Sequence, residues 1–314
     1  MSLLDASTTA AALPYPRLVQ AVEALLRDDD VQVPARLVHP LPSGGSLFVM
    51  PATDTRLAVV KLITFVPDNP SHGRPAIHGD VIVFDARSGL RRCVLDGPTV
   101  TARRTAAVTV AAARRLAACP AGPLLIVGAG VQGRAHLEAF VTALGVQQVS
   151  IASRNTQSAA ALAAHAAALG ARARVVDEPN AALADHPLVV SCTTAHGVVL
   201  DASPRRDAFV AAIGAFTPQM IEWAPAVVRA IAADGTIVVD TRDADHEAGD
   251  LLQAGVDVAA WPTLGDVIRD TPLWRQQQGK RPVFFKSCGW AGWDLAAARC
   301  AVPPLAHAAD GRSG

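Results

Sequence analysis

Leu124-Leu-Ile-Val-Gly128-Ala-Gly130-Val-Gln-Gly133-Arg-Ala-His-Leu-Glu-Ala-Phe140 decides the fold of this 314-residue chain. Four apolar residues read as a buried parallel strand, Gly-x-Gly-x-x-Gly follows without a gap, and helical periodicity begins at once. In that setting Gly128 permits a tight strand-to-helix turn, Gly130 lets a pyrophosphate approach the backbone, and Gly133 lets the helix lie close on the strand. The helix opens at Val131 and Gln132, and its N-terminus offers free N–H groups and a partial positive charge to phosphates. A dinucleotide site built from Gly128, Gly130, Val131, Gln132 and Gly133 is therefore predicted.

The next strand, Gln148-Val-Ser-Ile-Ala152, ends in Ser153-Arg154-Asn155. This point lies about 20 residues past the last glycine, where an NAD site carries Asp or Glu for the ribose 2′-hydroxyl. No acid is present. A hydroxyl, a guanidinium and an amide stand there instead, and together they suit a 2′-phosphate. A solvated arginine at a strand end fits the same residues. NADP(H) is preferred as cofactor, with NAD(H) still open.

Downstream, Leu188–Ser191, Ala208–Ile213 and Thr236–Asp240 are further strand candidates separated by helical segments such as Ala159–Leu169, the pattern of a parallel sheet. Upstream the pattern changes. Leu18, Val19, Val22, Leu25 and Leu26 recur at helical spacing. Short runs then follow at Arg36–His39, Ser46–Met50, Leu57–Phe65, Asp80–Asp85 and Leu90–Val94, divided by Pro- and Gly-rich turns. These predict a mainly antiparallel α+β unit, joined to the glycine loop by a helix over Thr99–Leu116 that starts at a threonine. The tail holds Pro282-Val-Phe-Phe-Lys-Ser-Cys-Gly289 and a helical Trp293–Cys300. The expected fold is α/β. A Rossmann-type domain over residues 119–290 adjoins an N-terminal α+β substrate and dimerisation domain over residues 1–118, to which residues 291–314 return.

Composition excludes several classes. Twenty-eight basic residues balance 28 acidic ones with no basic block, which argues against nucleic acid as a partner. Hydrophobic residues make up 51% of the chain, ample for a core, and mean hydropathy is +0.27. Even so, no run reaches the roughly 18 apolar residues of a membrane span. The start, Met1-Ser-Leu-Leu-Asp-Ala, lacks the basic region and cleavage site of a signal peptide. Five scattered cysteines without C-x-x-C read as reduced thiols, and nine histidines show no ligand spacing. A cytoplasmic protein without a metal is expected.

Across this frame stand Val33-Pro-Ala-Arg36, Met50-Pro-Ala52, Lys61 with Pro67-Asp-Asn-Pro70, and Arg104-Thr-Ala-Ala107. Further on come Gly128–Gly133, Ser153-Arg154, Thr193-Thr194, Ile213-Gly-Ala215, Glu247-Ala-Gly-Asp250 and Phe285-Lys-Ser-Cys-Gly289. In order and spacing, over nearly the whole chain, these markers resemble the ornithine cyclodeaminase/mu-crystallin family. The resemblance implies a homodimer with the interface on the N-terminal unit, and an imino acid or amino acid bound between the two domains. It adds Thr193, Thr194, Gly214, Ser287 and Gly289 to the cofactor contacts, although Gly214 and Gly289 also read as turn glycines.

The family offers NAD-dependent cyclisation of ornithine to proline and NAD(P)H-dependent reduction of cyclic ketimines. Where cyclodeaminases have Glu-Leu-Met-Pro this chain reads Phe48-Val-Met-Pro51, and where they have Glu-Leu-Asp it reads Glu222-Trp223-Ala224. Both acids that would handle the second amine of ornithine are absent, which favours the reductase. By resemblance Arg36, Lys61 and Arg104 converge on the carboxylate of the imino acid, a guanidinium fixing its plane as well as its place. From the residues alone, Lys61 could lie on the solvent side of a half-buried strand. Arg104 could likewise be solvated, as its neighbour Arg103 is expected to be. Lys61, or a water it holds, is the expected proton donor to the imine nitrogen. Trp290 and Trp293 read as packing residues, and His196 follows the threonine pair without an assignable role. A cyclodeaminase, a non-catalytic NADP(H) binder of the mu-crystallin kind, and an opine or alanine dehydrogenase remain as rivals.

Overall fold

The computed structural model describes residues 2–42, 44–194 and 197–302. It contains two sheets joined by a long helix. The first comprises β1 (Ser2–Leu4), β2 (Leu37–Pro40), β3 (Ser46–Thr53), β4 (Leu57–Phe65), β5 (Ile77–Asp85) and β6 (Arg91–Asp96). Its strand order is β1-β6-β5-β4-β3-β2, antiparallel except for β1 beside β6. Strand alternation sends Leu57, Val59, Lys61 and Ile63 to one face of β4, and all four are buried. Helices α3 (Gly97–Leu116) and α12 (Ala291–Ala301) cover that face, α2 (Tyr15–Leu25) packs on both of them, and α1 (Ala6–Ala12) packs at the side of α3. The chain thus returns at its far end to lie on β3 and β4. Helix α3 starts two residues before the expected Thr99. Asp96 is its cap and accepts from the Thr99 amide at 2.8 Å, an interaction contributing about 1 kcal/mol.

The second sheet comprises β7 (Leu124–Val127), β8 (Gln148–Ala152), β9 (Arg172–Val175), β10 (Leu188–Ser191), β11 (Phe209–Ala212), β12 (Thr236–Val239) and β13 (Val283–Lys286). All pairs are parallel, in the order β12-β13-β11-β10-β7-β8-β9. Helices α4 (Val131–Leu144), α5 (Thr156–Ala168), α6 (Pro179–Ala182) and α7 (Pro225–Asp234) connect the strands. Before β13 come α8 (Ala244–Glu247), α9 (Gly249–Gln253), α10 (Leu264–Arg269) and α11 (Thr271–Gln277). Leu124 and Ile126 face one core cluster and Leu125 and Val127 the other, so the continuous apolar run is the signature of a strand covered on both sides. Each such side chain contributes roughly 1.5–3 kcal/mol by burial.

The glycine loop behaves as its spacing predicts. Gly128 makes the turn, and a Cβ on Gly133 would stand 2.0 Å from the Gly128 carbonyl oxygen. Only glycine lets α4 seat this close to β7. Strand order reverses between β7 and β10, which opens the crevice at their carboxyl ends where such sheets bind ligands. Among the described residues, no helix is long and apolar enough to cross a membrane.

Three strands depart from the sequence reading. β1 has three residues and β9 is an exposed Arg-Ala-Arg-Val edge, so neither carries a hydrophobic period. β13 comes late in the chain yet inserts between β11 and β12, a pairing set by the crossover and not by local pattern.

Candidate functional site

The residues expected to contact a dinucleotide all lie on one edge of the parallel sheet. Gly128, Gly130, Val131, Gln132 and Gly133 follow β7, and Ser153, Arg154 and Asn155 follow β8. Thr193 and Thr194 follow β10, Gly214 follows β11, and Ser287 and Gly289 follow β13. At the first turn of α4 the surroundings fit a phosphate-bearing group. Nothing lies within 4 Å of a Cβ built on Gly130, no side chain caps the helix, and Val131 is 71% exposed. The Gln132 Oε1 is buried without a hydrogen-bond partner. A dinucleotide lying along this edge would cover the valine and meet the unpaired helix N–H groups.

At the end of β8, Arg154 is exposed, while Asn155 is partly committed. Its Oδ1 caps α5 by accepting from the Ser158 amide at 2.9 Å. On the other side of the crevice, Thr193 and Gly214 are braced from below by Glu222. One Glu222 oxygen accepts from the Thr193 amide at 2.7 Å and its hydroxyl at 2.9 Å. The other accepts from the Gly214 amide at 2.8 Å and the Ser191 hydroxyl at 3.0 Å. Beneath it, Asp250 accepts from the amides of Glu222 and Trp223 at 2.7 and 3.0 Å, and from Lys286 Nζ at 2.8 Å. Burial, reinforced by Asp250 and opposed by Lys286, raises the Glu222 carboxyl above its usual range. Glu222 is thus a buried brace whose oxygens are taken up by the two loops. Ala224, at the position that departs from the cyclodeaminase pattern, precedes α7. Thr194 is exposed. His196 lies outside the described residues.

The three cations come together where the two sheets meet. Lys61 keeps its place in the inward row of β4 with only 1% exposure, opposite Met50 on β3 and Val81 on β5. Its Nζ lies 2.9 Å from Asp294 Oδ2. Arg104 on α3 is also buried, with Nε 3.4 Å from the other oxygen of Asp294. Arg36 approaches from the loop before β2. Its Nη2 stands 2.5 Å from Glu247 Oε2, 3.7 Å from Asp243, and donates to the Gly289 carbonyl at 3.4 Å. Gly289 ties the two arginines together. Its φ is +95°, and a Cβ there would lie 3.3 Å from the Arg104 guanidinium, so glycine is required on both counts. Asp240, at the end of β12, holds this loop by accepting from the Ser287 hydroxyl and the Gly289 amide at 2.8 Å and the Cys288 amide at 3.0 Å.

Burial depresses the Lys61 ammonium to about 8. Asp294 opposes that shift, and Arg104 and Arg36 add to it. Two cations, Lys61 and Arg104, therefore press on one fully buried carboxylate, Asp294, while Arg36 nearby is paired with Glu247 and Asp243. Lys61 at 2.9 Å is the close partner of Asp294, whereas Arg104 Nε at 3.4 Å does not complete a hydrogen bond within the described structure. The second cation of this cluster, and the Arg104 N–H left without an acceptor, suit a small anion held beside Gly289.

Two sequence expectations change. Arg103 is not a solvated neighbour of Arg104. It is half-buried, donates to the Leu13 carbonyl at 2.9 Å, pairs with Glu138 at 3.3 Å and lies 3.9 Å over the Tyr15 ring. The sequence reading also missed Asp294. Its signal was a solitary acid in the apolar helix Trp293-Asp-Leu-Ala-Ala-Ala298, where an unpaired charge would be costly. Trp290 and Trp293 pack edge to face at 5.0 Å. Among the described residues, no group of His, Cys, Asp or Glu is arranged to hold a metal ion.

A parallel dinucleotide-type sheet with a mixed sheet set against it, and cations gathered at the junction, places the chain among two-domain nucleotide-dependent proteins. The family model described as the ornithine cyclodeaminase/mu-crystallin family matches residues 5–303, and the chain belongs to that family. It is 38% identical over 309 residues to a Δ1-pyrroline-2-carboxylate/Δ1-piperideine-2-carboxylate reductase of Azospirillum brasilense, spanning 97% of this chain and 96% of the relative. Ketimine reductase mu-crystallin of Mus musculus is 30% identical over 277 residues, spanning 87% and 85%. The same fold occurs in the Δ1-pyrroline-2-carboxylate reductase of Thermococcus litoralis, solved in complex with NADH and L-proline. That structure has a TM-score of 0.85 at 21% identity and covers 96% of each chain.

Proposed function

We propose that this protein reduces a cyclic ketimine carboxylate, Δ1-pyrroline-2-carboxylate or Δ1-piperideine-2-carboxylate, to L-proline or L-pipecolate. The observation that carries the reading is the approach of Arg36 and Arg104 to Gly289, with Lys61 and Arg104 sharing Asp294, on the edge that presents the glycine loop. Full-length similarity to the Azospirillum brasilense reductase supports it.

A planar imino acid offers a carboxylate beside a C=N bond on an otherwise apolar ring. Arg36 and Arg104 grip the carboxylate and fix the ring plane, and Lys61 supplies charge from below. A reduced nicotinamide held along the sheet edge would supply the hydride for the imine carbon. Gly128, Gly130, Val131, Gln132 and Gly133 cradle its pyrophosphate, and Thr193, Thr194, Gly214, Ser287 and Gly289 line its nicotinamide half. Ser153, Arg154 and Asn155 receive the adenosine ribose. Exposed Arg154 supports NADPH as the preferred form, because no acid is present there to bind a 2′-hydroxyl. NADH remains usable. The division at residues 118/119, with residues 291–314 returning, separates the carboxylate-binding unit from the nucleotide unit. A cytoplasmic homodimer paired through the N-terminal units completes the reading.

The test is a spectrophotometric panel of both ketimines, pyruvate with methylamine, and L-ornithine, against NADPH, NADH or the oxidised forms as each requires. Oxidation of NADPH with the ketimines is expected, and it should exceed that with pyruvate and methylamine. Ammonia and proline formed from L-ornithine and NAD+ as the dominant reaction would overturn the proposal in favour of the cyclodeaminase.

A further inference from the structure

Reduction of a C=N bond needs a proton at nitrogen as well as hydride at carbon. Lys61, the residue that sequence suggests, lies beneath the site with its Nζ on Asp294 and 1% exposed. A different group stands at the mouth. Glu247, the last residue of α8, reaches across from the nucleotide unit to Arg36, and 27% of its side chain is exposed. Arg36 in turn touches Gly289, which lies against Arg104. Glu247 therefore occupies the same corner that the functional reading gives to the carboxylate of the substrate, and one guanidinium cannot hold both carboxylates in the same place.

We propose that Glu247 is the catalytic acid, exchanging with the substrate carboxylate on Arg36 and delivering its proton to the imine nitrogen. This rests on the reductase reading above. In the exchange the substrate carboxylate takes the Arg36 fork, and Glu247 loses its cationic partner and picks up a proton. In the chemical step the O–H bond of Glu247 breaks and an N–H bond forms on the ring. The imine carbon accepts the hydride supplied by the reduced nicotinamide, and the π pair of the C=N bond becomes the nitrogen lone pair that takes the proton. The secondary amine leaves with its carboxylate, the nicotinamide is left oxidised, and the Glu247 carboxylate returns to Arg36.

The surroundings suit this cycle. Burial lifts the Glu247 carboxyl to about 7, Arg36 opposes the shift, and Asp243 and Asp240 add to it. Asp245 and His246 share its helix, and Cys288, whose thiol burial pushes up, faces it from the loop after β13. Among these groups only Arg36 is a strong cation, so its capture by another carboxylate moves Glu247 further toward the protonated form. An acid poised near the working pH is what general acid catalysis requires.

Two measurements on the full-length protein test the exchange. The first is calorimetric titration of the NADP+-saturated protein with pyrrole-2-carboxylate, a planar ring that cannot be reduced, in buffers of different ionisation enthalpy at pH 7. Lys61 is already largely charged at that pH. Uptake of about half a proton per site is expected in the wild type and nearly none in Glu247→Gln. The second is steady-state kinetics. Glu247→Gln should lower kcat roughly 100-fold while binding the ring carboxylate more tightly, because the competitor for Arg36 is gone. Glu247→Asp should retain proton uptake and part of kcat. Absence of proton uptake in the wild type overturns the proposal without any variant, as does a Glu247→Gln protein with kcat within a few-fold of normal. A wild type that oxidises NADPH with neither ketimine overturns the functional reading itself, and the two failures are distinct.

Discussion

Two buried ionic clusters lie on either side of the junction, and they are satisfied differently. Around Glu222, Asp250 and Lys286 the hydrogen bonds close. Loop amides, hydroxyls and an ammonium occupy the oxygens at 2.7–3.0 Å. Around Asp294 they do not, for two cations press on one carboxylate, a third cation stands nearby on Glu247, and Arg104 Nε lacks an acceptor among the described residues. The difference separates a closed brace from a cluster that holds more cations than carboxylates. A network with nothing left to bond fixes loop geometry. One with a cation in excess and an N–H left without an acceptor can take up an anion, which would offset the cost of leaving it so.

Breaking the closed cluster should have the largest effect on stability. Asp250→Asn removes the partner of Lys286, which is fully buried, and leaves that ammonium uncompensated. A loss of about 3–5 kcal/mol is expected, read as a shift of the denaturant midpoint. Cooperative unfolding at the wild-type midpoint would show that the brace is dispensable. The open cluster should respond in the opposite sense. Arg104→Met or Lys61→Met removes one of several crowded cations, so stability should change little. Catalytic efficiency should fall roughly 100-fold, about 2.7 kcal/mol of transition-state stabilisation. Turnover by Lys61→Met within a few-fold of wild type would remove Lys61 from the reaction.

The same contrast predicts a pH effect. The Lys61 pKa is lowered to about 8, so its charge is present below that pH and lost above it. KM for the ketimine should rise several-fold between pH 7.5 and 9 in the wild type, and this limb should be absent in Lys61→Met. The smallest effect is expected at the far end of the crevice. Arg154→Ser should weaken NADPH roughly tenfold with NADH nearly unchanged, since one exposed charge-assisted contact contributes about 1.4 kcal/mol at most. Equal losses for both cofactors would refute the role of Arg154 in reading the 2′-phosphate.

Residues that act through local pattern were legible. The run Leu124–Val127 and its glycines announced the crevice, and Lys61 stood out as a cation within the apolar run Leu57–Ile63, with the face of the strand it took left to the structure. Asp294 and Glu247 were not legible as partners. Asp294 lies 233 residues from Lys61, and Glu247 lies 211 from Arg36. No periodicity spans such a separation. For the same reason the late strand β13 could be seen as apolar but not placed between β11 and β12.

By itself the sequence determined most of the elements and the phosphate-binding turn, because these follow from the short-range geometry of strands, helices and glycine, while the family resemblance singled out Arg36, Lys61 and Arg104. Only the tertiary structure decided which carboxylate each cation meets. The returning helix puts Asp294 under Lys61 and Arg104, and α8 puts Glu247 on Arg36. The reason is physical. Burial fixes the energy of a charge through whatever lies within a few ångströms of it, and in a folded chain those neighbours come from anywhere in the sequence.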